Sequence, residues 1–256
     1  MTARTQTHEG REAPHRAQRV MVLSSELPPG PGGIGAHAYA LASELHRQGR
    51  QVTVIGSQHY CSEQDRSRFN ATSAVPVTTF ADRSDPVRTA ITRSTQIREG
   101  IAAFRPDVIV ASGGRVLWLA ARACARSGPP YVAVVHGTEL GGPGWQRRLT
   151  RAALDRATAV VTVSRFTAGL VEELGVPAAR IEVVHNGADG DRFSPDHERG
   201  RAFRERHELG DAPLILTVGN VTERKGQQQV IEALPQVLST VPDAQYVLVG
   251  RPTDGD

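Results

Sequence analysis

Arg19-Val-Met-Val-Leu-Ser-Ser-Glu-Leu-Pro-Pro-Gly-Pro-Gly-Gly-Ile-Gly-Ala-His37 decides how this chain folds. The run Arg19 to Ser24 is apolar on both alternating faces, so it reads as a strand buried on both sides. A glycine- and proline-rich turn follows. Ile34 to Gln48 is then a helix, with Ala38, Leu41, Ala42 and Leu45 on one face and Gly49 as its stop signal. Gln51-Val-Thr-Val-Ile-Gly56 is the next doubly apolar strand. A strand, a helix and a second strand of this kind form the unit of a parallel sheet covered by helices on both faces.

The same alternation runs outward from that stretch. Val75 to Phe80 fits a strand, and Cys61 to Thr72 has no hydrophobic period and reads as a loop. Asp85-Pro86 opens a helix reaching about Phe104, the aspartate as cap and the proline in the first turn. Strands follow at Val108 to Ser112, Tyr131 to His136, Ala159 to Val163 and Ile181 to His185. Helices lie between them at Val116 to Ser127, Trp145 to Arg156 and Ser164 to Leu174. The turn-rich stretch Asn186 to Pro195 breaks the rhythm. Beyond it come a helix at His197 to Leu209, a strand at Leu214 to Gly219, a helix at Gln227 to Ser239 and a strand at Ala244 to Gly250.

The expected organisation is a polar, disordered tail over 1–18 and a first Rossmann-like domain over 19–186. A linker and helix span 187–212, and a second α/β domain starts at 213. A domain of that class wants about 100 residues, so 213–256 reads as its opening strand, helix and strand, and the chain as truncated.

Composition excludes several classes. Of the 256 residues 39% are hydrophobic and 22% charged, as in ordinary globular proteins. The net charge of +3 comes from scattered arginines and does not indicate nucleic acid. Cys61 and Cys124 have no paired spacing, which excludes a disulfide framework and a zinc motif and suits a cytoplasmic setting. The first residues lack the apolar core of a signal peptide. No run approaches the roughly 20 apolar residues that span a bilayer.

Lys225 is the only lysine. It follows Arg224 in Val218-Gly-Asn-Val-Thr-Glu-Arg-Lys-Gly226, between a strand and a helix start. Unpaired N–H groups and the helix dipole favour an anion there, and a lysine adds a point charge. Two readings stand: a solvated side chain, or a ligand for the phosphates of a small molecule. Gly30-Pro-Gly32-Gly33-Ile-Gly35 formally matches G-x-G-x-x-G. The dinucleotide reading fails, because Glu26-Leu-Pro-Pro separates the turn from the strand and Gly56-Ser57 stands where an acid should bind ribose. A plain strand-to-helix turn and a backbone approach to a ligand both remain open. His136-Gly137-Thr138-Glu139, Ser164-Arg165-Phe166 and His185-Asn186-Gly187 lie at the carboxyl ends of strands, where open parallel sheets hold ligands. Each also has a structural reading, such as Ser164 capping its helix. Two basic helices carry Arg88, Arg93 and Arg98, and Trp145, Arg147, Arg148 and Arg151. Such helices either sit on anionic lipid or are solvated faces.

Together, Pro28 to His37, His136-Gly137, Val163 to Phe166, Val184 to Asp189 with Phe193, and Val218 to Gly226 resemble the family-4 retaining glycosyltransferases in order and spacing. The resemblance covers Arg19 to Gly250. It implies two facing Rossmann-like domains of the GT-B type, a nucleotide-diphosphate sugar as donor, an unidentified acceptor, retention of configuration, no cofactor and no obligatory metal. It implies that Arg224 and Lys225 hold the donor diphosphate and that Gly32 and Gly33 approach it or the acceptor. His136 would be the catalytic residue against the transferred sugar. Gly35, His37, Gly137, Glu139, Ser164, Asn186 and Asn220 would line the cleft. Many relatives carry arginine in place of Asn220, and the family's paired glutamates would fall beyond Asp256. The alternative is a non-catalytic fragment or pseudoenzyme that keeps only acceptor or partner binding. The expected setting is cytoplasmic, with weak peripheral contact at the inner face of the membrane as a further option.

Overall fold

The computed structural model describes residues 18–81, 85–125 and 128–250. The tail expected over 1–18 lies outside these residues except for Gln18, and the helix expected to reach Ser127 instead ends at Ala123, with Cys124 as its C-cap. The chain divides into two compact units, Met1–Gly187 and Ala188–Asp256.

Unit 1 is a parallel sheet of seven strands in the order β3-β2-β1-β4-β5-β6-β7. The strands are β1 (Arg19–Ser24), β2 (Gln51–Gly56), β3 (Val77–Thr79), β4 (Val108–Ser112), β5 (Tyr131–Val135), β6 (Ala159–Thr162) and β7 (Ile181–Val183). The helices are α1 (Gly33–Arg47), α2 (Glu63–Thr72), α3 (Pro86–Phe104), α4 (Val116–Ala123), α5 (Gly144–Arg156) and α6 (Arg165–Glu173). Alternation along the strands builds two cores. Val20, Val22, Val52 and Val54 pack with Ala38 and Ala42 of α1 on one face. Met21, Leu23, Ile109, Ala133 and Val160 pack with Ile97, Leu117, Leu154 and Val171 on the other. Each such buried Val, Leu, Ile or Met side chain stabilises the fold by about 1.5–3 kcal/mol.

Local signals set the helix ends. The Asp85 carboxylate accepts a 2.7 Å bond from the Arg88 N–H, Pro86 occupies the first turn, and Arg105 ends α3 in the left-handed region at φ 50°. The loop expected over Cys61 to Thr72 is instead mostly helical, as α2. Ser62 starts it by accepting from the Asp65 N–H at 3.1 Å. No α2 residue is buried, so no hydrophobic face exists to produce a period. The helix is anchored by Phe69 packing edge-on against Tyr39 and by Asn70 bonded to Gln58.

The chain runs from β1 outward to β3 on one side, then returns beside β1 at β4 and proceeds to β7. The order reverses between β1 and β4. The crevice outside the carboxyl ends of those two strands is where sheets of this kind place ligands.

Unit 2 holds α7 (His197–Arg206), the parallel pair β8 (Leu214–Val218) and β9 (Gln245–Val249), a 3₁₀ turn (Glu223–Lys225) and α8 (Gln227–Thr240). Gln227 is the only buried residue among those described in this unit.

Candidate functional site

In unit 1 the switch point gathers Ser24, Glu26, Ser112 and His136 at successive strand ends. His136 directly follows β5, and its Nε2 lies 2.9 Å from the Ser112 Oγ at the end of β4. The His37 ring, from α1, meets it edge-on with centroids 5.1 Å apart. Burial, with the neighbouring His37, pushes the His136 pKa down to about 4. Burial lowers His37 as well. His136 is therefore a neutral imidazole at physiological pH, fixed by a hydroxyl. The buried His37 Nδ1 has no hydrogen-bond partner among the described residues.

The loop after His136 is tied down from within. Gly137 sits at φ 106°, which only glycine adopts freely, and leads into a 3₁₀ turn (Thr138–Leu140). The buried Glu139 carboxylate accepts from the His136 N–H at 2.8 Å and from the Thr138 hydroxyl at 3.3 Å. Burial raises its pKa against the opposing pull of these bonds. Glu139 thus holds the loop that presents His136, and it also lines a small pocket.

The glycine turn divides its labour. A side chain at Gly35 would come within 2.9 Å of the Glu26–Leu27 backbone, so Gly35 permits the turn to fold onto the helix start. A side chain at Gly32 would collide with the Glu26 carboxylate. Gly33 faces open space. Glu26 accepts from the Gly35 N–H, so the anion at the start of α1 is supplied by the chain itself. Burial raises the Glu26 pKa, and the charge of Glu139 adds to the rise. Sequence reasoning passed over Glu26. The available signal was an acid a short turn ahead of a glycine-opened helix. Glu26 and Glu139 line one pocket of about 230 Å³ with Ser25, Arg115, Trp118 and Gln146.

Ser164 caps α6, accepting from the Thr167 N–H at 3.1 Å. Asn186 is exposed in the segment after β7.

In unit 2, Arg224 and Lys225 stand exposed on the 3₁₀ turn. Gly226, at φ 72°, then opens α8 without a side-chain cap, leaving the first N–H groups of that helix without a side-chain acceptor. The Asn220 carbonyl accepts from Gln227 Nε2 at 2.9 Å. Buried Gln227 Oε1 and Thr222 Oγ1 have no hydrogen-bond partner among the described residues, two polar atoms that sequence reasoning did not single out. The structure brings His37, His136, Gly137 and Glu139 together in unit 1, and Asn220, Arg224 and Lys225 around one loop in unit 2. Among the described residues no three His, Cys, Asp or Glu side chains form a metal-binding group, and no helix is long and apolar enough to cross a membrane.

Residues 31–192 match the model of Glycosyltransferase Family 4. The chain belongs to that family. It is 31% identical over 246 residues to a GDP-mannose-dependent alpha-(1-6)-phosphatidylinositol monomannoside mannosyltransferase of Mycolicibacterium smegmatis, covering 90% of this chain and 60% of that protein. It is 28% identical over 270 residues to a glycogen synthase of Mycobacterium tuberculosis, covering 93% of this chain and 63% of that one. The family-4 chain thus spans less than two thirds of the length of these relatives. Its fold matches that of Anabaena HepE, solved in complex with UDP-glucose, with a TM-score of 0.74, 18% identity, and 94% and 62% of the two chains covered. The fold is therefore the α/β, Rossmann-like one of GT-B glycosyltransferases, as the sequence led us to expect.

Proposed function

We propose that this family-4 protein transfers a sugar from a nucleoside-diphosphate sugar to a hydroxyl of an acceptor, with retention of configuration. The observation that carries the reading is the pairing of family membership over 31–192 with a neutral, hydroxyl-fixed imidazole at the sheet's switch point. A neutral His136 offers the transferred sugar a hydrogen-bonding group without adding positive charge beside a glycosyl centre that itself becomes electron-poor. Arg224, Lys225 and the uncapped start of α8 carry the opposite task. As the sugar–phosphate bond breaks, negative charge grows on the leaving diphosphate, and fixed cations with a helix dipole stabilise it. Asn220 adds a hydrogen-bonding group there but no charge. The small pocket beside Glu26 and Glu139 offers carboxyl groups to acceptor hydroxyls. GDP-mannose, named for one relative, and UDP-glucose, bound in one protein of similar fold, are the first substrates to try.

The test is calorimetry and radiolabelled transfer or hydrolysis with GDP-mannose, UDP-glucose and UDP-N-acetylglucosamine. Binding of at least one donor, with label released or transferred, is expected. Absence of binding, transfer and hydrolysis for all of them overturns the reading in favour of a non-catalytic role.

A further inference from the structure

We propose that the groove between α3 and α5, floored by α4, docks on a bilayer surface rich in anionic phospholipid. The groove lies wholly within unit 1 and has a volume of about 1220 Å³. Its floor is apolar, formed by Trp118, Leu119, Ala121 and Tyr131, because α4 is only 8 residues long and sits deep against the sheet. Its walls leave large apolar side chains in solvent: Val87 is 66% exposed and Ile91 60% on α3, and Leu149 46% on α5. Trp145, 56% exposed, stands at the start of α5 with its ring 6.0 Å from that of Trp118. Contiguous exposed apolar surface of this kind marks a contact site.

The charge around the groove selects the partner. Arg98, Arg122 and Arg156 line it, and no aspartate or glutamate does. No ion pair holds these three among the described residues. The neighbouring Arg88, Arg147 and Arg148 are also exposed, while Asp85 and Glu99 are the acids that α3 and its cap carry outside the lining. Two arginines of the basic helices face elsewhere. Arg93 stacks on the Phe80 ring at 5.4 Å, and Arg151 pairs with Asp155 at 2.7 Å. Apolar side chains flanked by unpaired guanidinium groups match the two layers of an anionic membrane surface: acyl chains below, phosphates above. A soluble acidic protein would use the charges and leave the apolar groove without a purpose.

The chain has only two tryptophans, Trp118 and Trp145, and both belong to the groove or its rim. Their emission therefore reports its occupation. The 256-residue protein should float with vesicles of phosphatidylglycerol and phosphatidylcholine, shift its emission to the blue, and stay at the bottom with pure phosphatidylcholine. Raising the salt should release it. The triple variant Arg98→Glu/Arg122→Glu/Arg156→Glu should partition at least about tenfold more weakly, and Ile91→Ser/Leu149→Ser should lose the blue shift. All five positions are exposed, and circular dichroism confirms that the variants fold. Failure to float with anionic vesicles overturns the proposal. So do equal flotation with neutral vesicles, salt-insensitive binding, or a charge-reversed variant that floats like the parent. Sugar transfer enters none of these readouts, so this surface and the transfer activity stand or fall separately.

Discussion

Strands β5 and β8 are both five-residue apolar runs at corresponding points of a strand–helix rhythm, yet they end in different environments. In β5, Val135 is fully buried, while in β8, Val218 is 73% and Leu216 52% exposed. The first lies between β4 and β6, whereas among the described residues the second pairs with β9 alone. A run of valines and leucines makes a strand wherever neighbours exist, but it makes a core only where strands flank it on both edges and helices cover it. Unit 1 meets that condition in most of its strands. In unit 2 the described residues offer one buried side chain, the polar Gln227.

The sharpest way to break this contrast is to remove one leucine from each unit. Leu154, fully buried on α5, should cost about 2–5 kcal/mol when changed to alanine, the transfer loss plus the cavity left behind. Leu216→Ala, at a half-exposed site, should cost less than about 1 kcal/mol. Urea unfolding of the two variants checks this, and equal losses would mean that the units are packed alike.

Most of the fold was legible because the inner strands of the large sheet are largely apolar on both faces and each of its long helices carries one apolar stripe. The exception teaches the rule: α2 buries nothing, so periodicity could not reveal it and only the Ser62 cap could. The site was legible less evenly. His136 was singled out because it ends a doubly apolar strand. Glu26 carried a local signal, an acid a short turn ahead of a glycine-opened helix, that sequence reasoning passed over. Ser112 was not singled out, because its partner His136 ends the neighbouring strand, 24 residues on. No local pattern encodes a neighbour that distant. Gly32 and Gly33 were expected to approach the diphosphate or the acceptor and Gly35 to line the cleft; side chains at Gly32 and Gly35 would meet atoms of Glu26 and Leu27, whereas Gly33 faces open space.

The next contrast sets donor binding against stability. Lys225→Ala should weaken nucleotide-sugar binding by about 1.5–3 kcal/mol through loss of a charge-assisted bond. Its effect on unfolding should be negligible, because the side chain is exposed. Calorimetry paired with a urea titration measures both. Unchanged affinity would remove the lysine from the donor site.

The same contrast between crowded and open surroundings recurs within the glycine turn of unit 1. Gly35→Ala forces a methyl to within 2.9 Å of backbone and should lower stability by about 1–3 kcal/mol. Gly33→Ala meets nothing and should change it by less than about 1 kcal/mol. Thermal melts of both variants decide whether crowding or mere glycine content matters here.

The last expected effect is a pH dependence confined to unit 1. His136 has its pKa lowered to about 4 from an ordinary 6.5. Between those values the unfolded chain holds a proton on this imidazole that the folded chain does not, so stability falls as pH drops from about 6.5 to about 4 and levels off below. Above 6.5 the imidazole is neutral in both states and the contribution is fully present. Glu26 and Glu139 act in the opposite sense, because their raised pKa values make the folded form hold protons longer as pH rises. The difference between the parent and His136→Gln isolates the histidine. Across that window the parent should lose stability relative to the variant, and the ring proton of His136 should show a neutral imidazole by NMR at pH 5. A midpoint near 6.5 would mean that the strand end is wetter than its packing against Ser112 and His37 requires.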